Sequence, residues 1–121
     1  MSHIRMLAPE MDLISGDDAL TVPIMAIGGT GVISVLSNIC PKVVADLVNA
    51  MLKKDLYKAN EIAFKWLPLV KAMFIETNPI PVKAAMAMMG ICSDEMRLPM
   101  CSLSDEHKES LRKTLKSYNL I

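Results

Sequence analysis

The stretch "SGDDALTVPIMAIGGTGVISV", residues 15–35, decides the fold of this chain. It opens with Gly16 and the acid pair Asp17 and Asp18, and no further charged residue occurs before Lys42. A glycine-rich segment, residues 28–31, interrupts the apolar run near its end. Such a stretch could be a membrane span, a phosphate-binding loop or a buried strand–helix–strand unit.

The first two interpretations fit the residues poorly. The uncharged run is long enough to cross a bilayer, but Pro23, the glycines and Asn38 interrupt it, and the paired glycines indicate a chain reversal. A phosphate loop needs a helix after its glycines, so that backbone N–H groups face the anion. Here β-branched residues follow over 31–36 and predict a strand, so the glycine turn is predicted to be structural.

The third interpretation accounts for the whole stretch. Residues 11–15 are short and apolar and predict a first strand. Asp17 or Asp18 can cap a helix over residues 19–27, in which Pro23 is tolerated in the first turn, and the glycines end it. Strand, helix and strand over such a short span predict a crossover between parallel strands.

The rest of the chain is predicted to be helical. Its apolar residues recur at helical spacing and fall into segments bounded by proline, glycine or capping residues. The last segment has Ser104 as its predicted cap and Leu111, Leu115 and Tyr118 as its apolar face. The other predicted starts, breaks and turns are Pro41, Asp55, a kink at Pro68, residues 78–81 and Gly90.

Composition excludes several classes of protein. The 121 residues allow one domain at most, and 13 basic against 13 acidic residues favour neither nucleic acid nor an anionic membrane surface as partner. Hydrophobic residues are 52% but aromatic ones only 4%, so an aliphatic core with help from the 11 methionines is predicted.

Cysteines, histidines and the start of the chain indicate a reduced, metal-free protein of the cytoplasm. Cys40, Cys92 and Cys101 are odd in number and widely spaced, which predicts free thiols. His3 and His107 are isolated, so no metal site is predicted. The first residues lack a basic patch followed by an apolar core, and no secretory signal is therefore expected.

One physical difficulty points beyond this chain. Two parallel strands leave unpaired backbone groups and an open apolar face, and a few helices do not obviously cover both. The sequence therefore predicts part of a larger α/β protein.

Four motifs make the prediction specific. They are "SGDDAL" at 15–20, "GGTGVISV" at 28–35, "NPIPVKAAM" at 78–86 and "RLPM" at 97–100. In their order and spacing, the chain resembles the C-terminal ~40% of enzymes of the dihydrodipicolinate synthase / N-acetylneuraminate lyase family, which are pyruvate-dependent class I aldolases built on a barrel. The last two motifs are similar to the synthase branch rather than the sialic-acid lyase branch.

This resemblance implies a fold. We expect strands seven and eight of a TIM (β/α)₈ barrel with their helices over residues 1–54, and a C-terminal helical extension over residues 55–121. As a separate chain the protein would be mostly helical. Family members are often tetramers, so a homo-oligomer, or complementation by a full-length chain, is expected as well.

The resemblance also implies a reaction. In the family, a lysine on strand six forms a Schiff base with pyruvate, and the enamine attacks aspartate-4-semialdehyde in lysine biosynthesis. No cofactor and no metal are implied. The Schiff-base lysine would lie shortly before Met1, so no residue of this chain is expected to be catalytic, and the chain alone is expected to be inactive.

Two positions are expected to line the pyruvate pocket of a complete barrel. Gly16 follows strand seven, and Ile33 lies on strand eight, where the family's backbone contacts pyruvate. Barrel sites form at the carboxyl ends of the strands, which agrees with both positions. Asp17 and Asp18 could pass for an acid–base or metal pair, but helix capping and loop fixation are the favoured interpretation.

Two other functions stay open at this point. The chain could be a non-catalytic assembly or regulatory fragment that docks on a full-length barrel through its exposed strand edge. It could also be part of another pyruvate-dependent 2-keto acid aldolase, because the residues that select the aldehyde would lie mostly elsewhere.

Overall fold

The computed structural model describes all residues from Met1 to Ile121 and divides into two compact units, Met1–Leu67 and Pro68–Ile121. Both strands belong to the first unit, and the regular structure of the second is helical. The predicted boundary between residues 54 and 55 separates parts of a complete barrel rather than compact units, and it stays a prediction.

Two very short parallel strands form the sheet of the first unit. β1, Ile14–Ser15, pairs with β2, Gly31–Val32, as the sequence predicts. Backbone bonds continue the ladder at both ends. The Thr30 N–H donates to the Leu13 carbonyl at 2.8 Å, and the Ile33 N–H donates to the Ser15 carbonyl at 2.8 Å.

The predicted strands over 11–15 and 31–36 are too long. Leu36 is buried in a 3-10 turn, Leu36–Asn38, instead of in β2. The reason is a contact between segments distant in sequence, because the N–H groups of Val35 and Leu36 donate to the carboxylate of Asp18 rather than to a neighbouring strand. The second strand therefore ends where a side chain takes over its hydrogen bonds.

The helix between the strands is shorter than the predicted span of residues 19–27, but the glycines end it as predicted. A 3-10 turn, Asp18–Leu20, leads into α2, Thr21–Ala26, which carries Pro23 in its first turn. Gly28 at φ +98° and Gly29 close it: their N–H groups donate to the carbonyls of Met25 and Ile24, at 3.1 and 2.9 Å. This bond pattern is a Schellman motif, which explains the paired glycines.

Three further helices contribute to the first unit. We number Ser2–Leu7 as α1, which buries no residue, and Pro41–Leu52 as α3, which starts at its proline as predicted. The next helix, α4, spans Leu56–Ala72 and therefore extends past the end of the unit. Asp55 caps α4, because its Oδ1 accepts the Lys58 N–H at 3.0 Å.

The core of the first unit lies around α2, which contacts β1, β2 and α3. Its most buried apolar members are aliphatic or small and come from α2, α3, α4, the 3-10 turn Leu36–Asn38 and the adjoining loops. They are Leu13, Ile24, Met25, Leu36, Ile39, Cys40, Leu47, Ala50 and Ala59.

The second unit is built from the end of α4 and two further helices, α5, Ile80–Met88, and α6, Asp105–Ser117, which contact each other. Pro68 lies inside α4, and the kink expected there stays a prediction. The core of the unit is Leu69, Val70, Met73, Ile80, Val82, Ala84, Ala85, Leu103, Leu111 and Leu115.

The methionines fill the core less than predicted. Met25 and Met73 are buried, but Met6 and Met11 are 68% and 55% exposed, and the methionines of α5 are only half-buried. Aliphatic side chains and alanines supply most of the packing instead. No helix of the structure combines the length and the apolar character needed to cross a membrane.

Candidate functional site

The two predicted pocket residues lie side by side in the structure. Ser15 and Val32 are register partners in the parallel ladder, and Gly16 and Ile33 are the residues that follow them. Both are exposed, Ile33 to 75%. The structure therefore brings Gly16 and Ile33 to one edge of the sheet, at the carboxyl ends of both strands.

A buried hydroxyl shapes the turn at Gly16. Ser15 is 0% exposed, and its Oγ donates to the Asp17 carbonyl at 2.7 Å and accepts the Asp17 N–H at 3.2 Å. These two bonds satisfy the hydroxyl inside the protein and close the chain around Gly16. No heavy atom outside its immediate chain neighbours lies within 4 Å of a Cβ added at Gly16, so the space in front of it is open.

The two aspartates have separate structural roles. Asp17 caps the first 3-10 turn, because its Oδ1 accepts the Ala19 N–H at 2.8 Å. Asp18 reaches the loop after β2, where Oδ2 accepts the N–H groups of Val35 at 2.9 Å and Leu36 at 3.2 Å, and Oδ1 accepts the Ser34 hydroxyl. Capping and loop fixation, the favoured interpretation of this acid pair, are confirmed.

Ser34 is a member of this site that sequence reasoning missed. Besides donating to Asp18, its Oγ accepts the Ser37 N–H at 2.8 Å, while its carbonyl accepts the Ser37 hydroxyl at 2.9 Å. Serines of this kind favour turns. The signal in the sequence was the pair of serines three residues apart directly after an apolar strand.

None of the lysines lies on β1 or β2. Lys53 and Lys54 follow the end of α3, where Lys54 turns the chain at φ 61°. The hydrogen bond and charge of Glu61 raise the pKa of Lys58. That effect opposes Schiff-base chemistry, which needs an unprotonated amine.

Two further lysines also serve structure. Lys42 pairs with Asp46 along α3 at 2.7 Å, and the Lys83 ammonium donates to the carbonyl of Glu95 in the loop after α5. No group of three or more histidine, cysteine or acidic side chains is arranged to hold a metal ion.

The second unit contains a polar cluster that sequence reasoning did not find. Ser104 occupies the N-cap position of α6, but its hydroxyl does not cap the helix as predicted. It donates instead to Oε1 of Glu76 at 2.7 Å, and the Ser104 N–H donates to the same oxygen at 3.2 Å. His107 Nδ1 lies 2.7 Å from it as well.

This cluster has a clear electrostatic consequence. Hydrogen bonds from His107 and then from Ser104 lower the pKa of Glu76. All three contacts converge on one carboxylate oxygen, and the serine hydroxyl faces the acid rather than the histidine. The arrangement therefore anchors the start of α6 and is not that of a nucleophilic triad, in which histidine contacts serine.

A cleft of about 590 Å³ lies between α3 and α4 in the first unit, and it offers no comparable site. Its lining includes acidic and basic side chains, yet Asp46 pairs with Lys42, and Asp55 caps α4. No buried polar side-chain atom of the structure lacks a hydrogen-bond partner. The strand ends at Gly16 and Ile33 are therefore the stronger candidate.

A parallel strand–helix–strand unit with its open loops at the carboxyl ends of the strands is the repeating element of α/β barrels. This chain belongs to the dihydrodipicolinate synthetase family, whose sequence model matches residues 1–118.

Relatives of known name agree with this membership. The 4-hydroxy-tetrahydrodipicolinate synthase of Endomicrobium trichonymphae is 54% identical over 121 residues, which is 100% of this chain and 42% of that protein. The synthase of Methanocaldococcus jannaschii is also 54% identical, over 93% of this chain and 39% of its own length. The chain therefore spans about two fifths of the length of the curated relatives it matches.

Solved structures give the same result. Dihydrodipicolinate synthase from Aquifex aeolicus superposes with a TM-score of 0.95 at 48% identity, over 98% of this chain and 41% of that one. The synthase from Acinetobacter baumannii, solved in complex with pyruvate, superposes with a TM-score of 0.92 at 36% identity, over 98% and 40%. The predicted fold is confirmed: the chain is the C-terminal part of a TIM barrel with a helical extension.

Proposed function

We propose that this chain is the C-terminal portion of a class I aldolase that condenses pyruvate with aspartate-4-semialdehyde in lysine biosynthesis. In the complete barrel, Gly16 and Ile33 would form part of the wall of the pyruvate pocket. Membership in the family supports the reaction, and the pyruvate complex of the Acinetobacter relative supports the ligand.

One observation in this chain carries the proposal. Gly16 and Ile33 are exposed next to each other at the carboxyl ends of paired parallel strands, which is where barrel enzymes hold their substrates. The absence of a side chain at Gly16 and the open space before it leave room for a small keto acid.

The same proposal assigns the Schiff-base lysine to a part of the barrel outside these 121 residues. A catalytic lysine needs a depressed pKa and a place inside the barrel. The lysines of this chain lie on helices or in turns, and the pKa of Lys58 is raised rather than lowered. We therefore infer that the chain alone does not perform the condensation.

Trapping of the imine tests both statements. The chain alone, and a barrel in which it follows the preceding part of the Endomicrobium relative, are each reduced with borohydride in the presence of pyruvate. Mass spectrometry should find one pyruvyl adduct in the completed barrel, on a lysine outside this chain, and none on the chain alone. An adduct on any lysine of the 121 residues would contradict the assignment.

A second candidate function rests on the exposed apolar surface of the strands. Ile14 in β1 is 47% exposed and Ile33, directly after β2, is 75% exposed, so this part of the sheet presents apolar side chains that a full-length barrel could cover. A non-catalytic assembly or regulatory fragment would use this face. Such a fragment should co-purify with an intact barrel, and a folded monomer that binds no barrel would count against it.

A third candidate keeps the pyruvate chemistry but changes the aldehyde. Pocket residues in this chain would contact pyruvate, so they are compatible with another 2-keto acid aldolase. Comparison of the completed barrel with aspartate-4-semialdehyde and with other aldehydes would decide between the two reactions.

A further inference from the structure

We propose that Asp18 is a positioning residue that holds the backbone of Ile33 in place for pyruvate. This inference rests on the proposed function, in which Ile33 lines the pyruvate pocket. It adds a specific role for an acidic side chain that does not itself face the open space at Gly16.

Within this chain, the side chain of Ile33 supplies little restraint. It is 75% exposed, so packing inside the first unit does not hold it. On the β1 side, a single backbone bond holds it, from the Ile33 N–H to the Ser15 carbonyl at 2.8 Å. The residues directly after Ile33 form no further backbone hydrogen bond to β1.

Asp18 supplies the missing restraint from the other direction. Its carboxylate accepts hydrogen bonds from the three residues directly after Ile33, through the Ser34 hydroxyl and the N–H groups of Val35 and Leu36. Bonds to an ionised carboxylate are shorter and stronger than neutral ones. The loop after β1 and the loop after β2 are thereby joined at the edge where Gly16 and Ile33 are exposed.

Reaction rates and binding respond strongly to small displacements of a pocket wall. A loop that is merely stabilised by Asp18 would lose stability on substitution, with pyruvate handling unchanged. A loop that is positioned by Asp18 would lose affinity for pyruvate even where the protein stays folded. The two roles therefore differ in a measurable way.

The test compares Asp18→Asn with Asp17→Asn in the completed barrel. Both substitutions remove one carboxylate charge from the same loop, but the Asp17 carboxylate accepts only the Ala19 N–H, two residues later in the sequence. We expect Asp18→Asn to raise the KM for pyruvate roughly tenfold, and Asp17→Asn to change it less than about twofold. Equal KM values for the two variants would overturn the proposal.

A second variant and a second measurement keep the test decisive. Ser34→Ala removes one of the three contacts and should raise the KM for pyruvate about threefold, even if Asp18→Asn does not fold. Amide hydrogen exchange at Ile33 measures, without any ligand, how readily the backbone at Ile33 opens. The exchange rate should increase in Asp18→Asn and stay unchanged in Asp17→Asn.

The exchange measurement also separates this inference from the proposed function. If the parent barrel forms no pyruvyl adduct but Asp18→Asn accelerates exchange at Ile33, the proposed function fails together with the role of Asp18 toward pyruvate, and only the restraint of the loop by Asp18 stands. If the parent forms the adduct while Asp18→Asn matches Asp17→Asn in exchange and KM, the positioning role fails alone.

Discussion

The two compact units differ in what is buried most deeply. In Pro68–Ile121, the largest fully buried side chains are apolar, including Leu69, Met73, Leu111 and Leu115. In Met1–Leu67, the corresponding residues are Thr21 and Ser15, both polar and both hydrogen-bonded to nearby carbonyls.

The difference concerns how each unit is held together. The second unit packs an aliphatic core between its helices. The first unit fixes its loops with hydrogen bonds and leaves apolar residues in or directly after its strands, such as Ile14 and Ile33, exposed to solvent. Strands buried on both faces are the rule in parallel sheets. The first unit therefore resembles two strands of a barrel without the neighbouring strands, which agrees with a chain that spans about two fifths of the length of its relatives.

Substitution of the second unit's core should have the largest effect. Leu111 is 0% exposed, so Leu111→Ala is expected to lower the free energy of unfolding by about 2–5 kcal/mol through lost burial and a cavity. Leu98→Ala is the control, because Leu98 is 93% exposed and should change it by less than about 0.5 kcal/mol. Urea titration followed by circular dichroism measures both, and a similar loss in the two variants would break the comparison.

The glycine turn of the first unit should come next. A Cβ at Gly29 would lie 2.8 Å from the Ile24 carbonyl oxygen, so Gly29→Ala must shift the backbone and should cost about 1–3 kcal/mol. Gly31→Ala meets no atom within 4 Å and should change stability by less than about 0.5 kcal/mol. Equal thermal midpoints for the two variants would show that the turn is not tightly packed.

Acidic pH is expected to destabilise the second unit by protonating Glu76. Its pKa is lowered by His107 and Ser104, so its stabilising effect is complete well above the unfolded value of about 4.3. That effect disappears as the pH falls through the lower pKa of the folded state. Glu76→Gln should therefore reduce the loss of stability that the protein shows as the pH becomes acidic.

Glu109→Gln is the matched control for this pH experiment. Glu109 is exposed on α6, the same helix that Glu76 anchors, and makes no hydrogen bond to the loop before it. In this variant, the thermal midpoint should fall between neutral pH and pH ~3 as it does in the parent protein. If the thermal midpoint of Glu76→Gln falls by the same amount, the cluster does not contribute to acid sensitivity.

Thiol labelling compares the two units without changing their stability. Cys40 is 8% exposed in the first unit and burial raises its pKa, whereas Cys92 and Cys101 are exposed in the second. A maleimide should modify the two exposed thiols at least roughly tenfold faster than Cys40, as resolved by peptide mass spectrometry. Three equal rates would mean that the loop around Cys40 opens readily.

Much of the candidate site could be predicted, but its connections could not. Gly16 and Ile33 were expected from the family resemblance of the motifs that contain them, and a capping role for Asp17 or Asp18 followed from their place before a helix. The link from Asp18 to the loop beyond Ile33 joins residues far apart in sequence, and no local pattern encodes it.

The same limit applies in the second unit. Ser104 has the residue type and position of a helix cap, and local propensity therefore predicted that its own hydroxyl would cap α6. Glu76 approaches from the loop after α4 and accepts both the hydroxyl and the N–H of Ser104. A charged acceptor forms the stronger bond, so tertiary structure overrode the local preference.

The sequence by itself determined the order of the elements, the parallel crossover and the structural role of the glycine turn. These depend on residue types at short spacing, such as the φ of Gly28 and the placement of Pro23 and Pro41. Tertiary structure alone decided where β2 ends, which carboxylates hold which loops, and how far Ile33 is exposed. These depend on hydrogen bonds between distant segments, whose geometry exists only once the chain has folded.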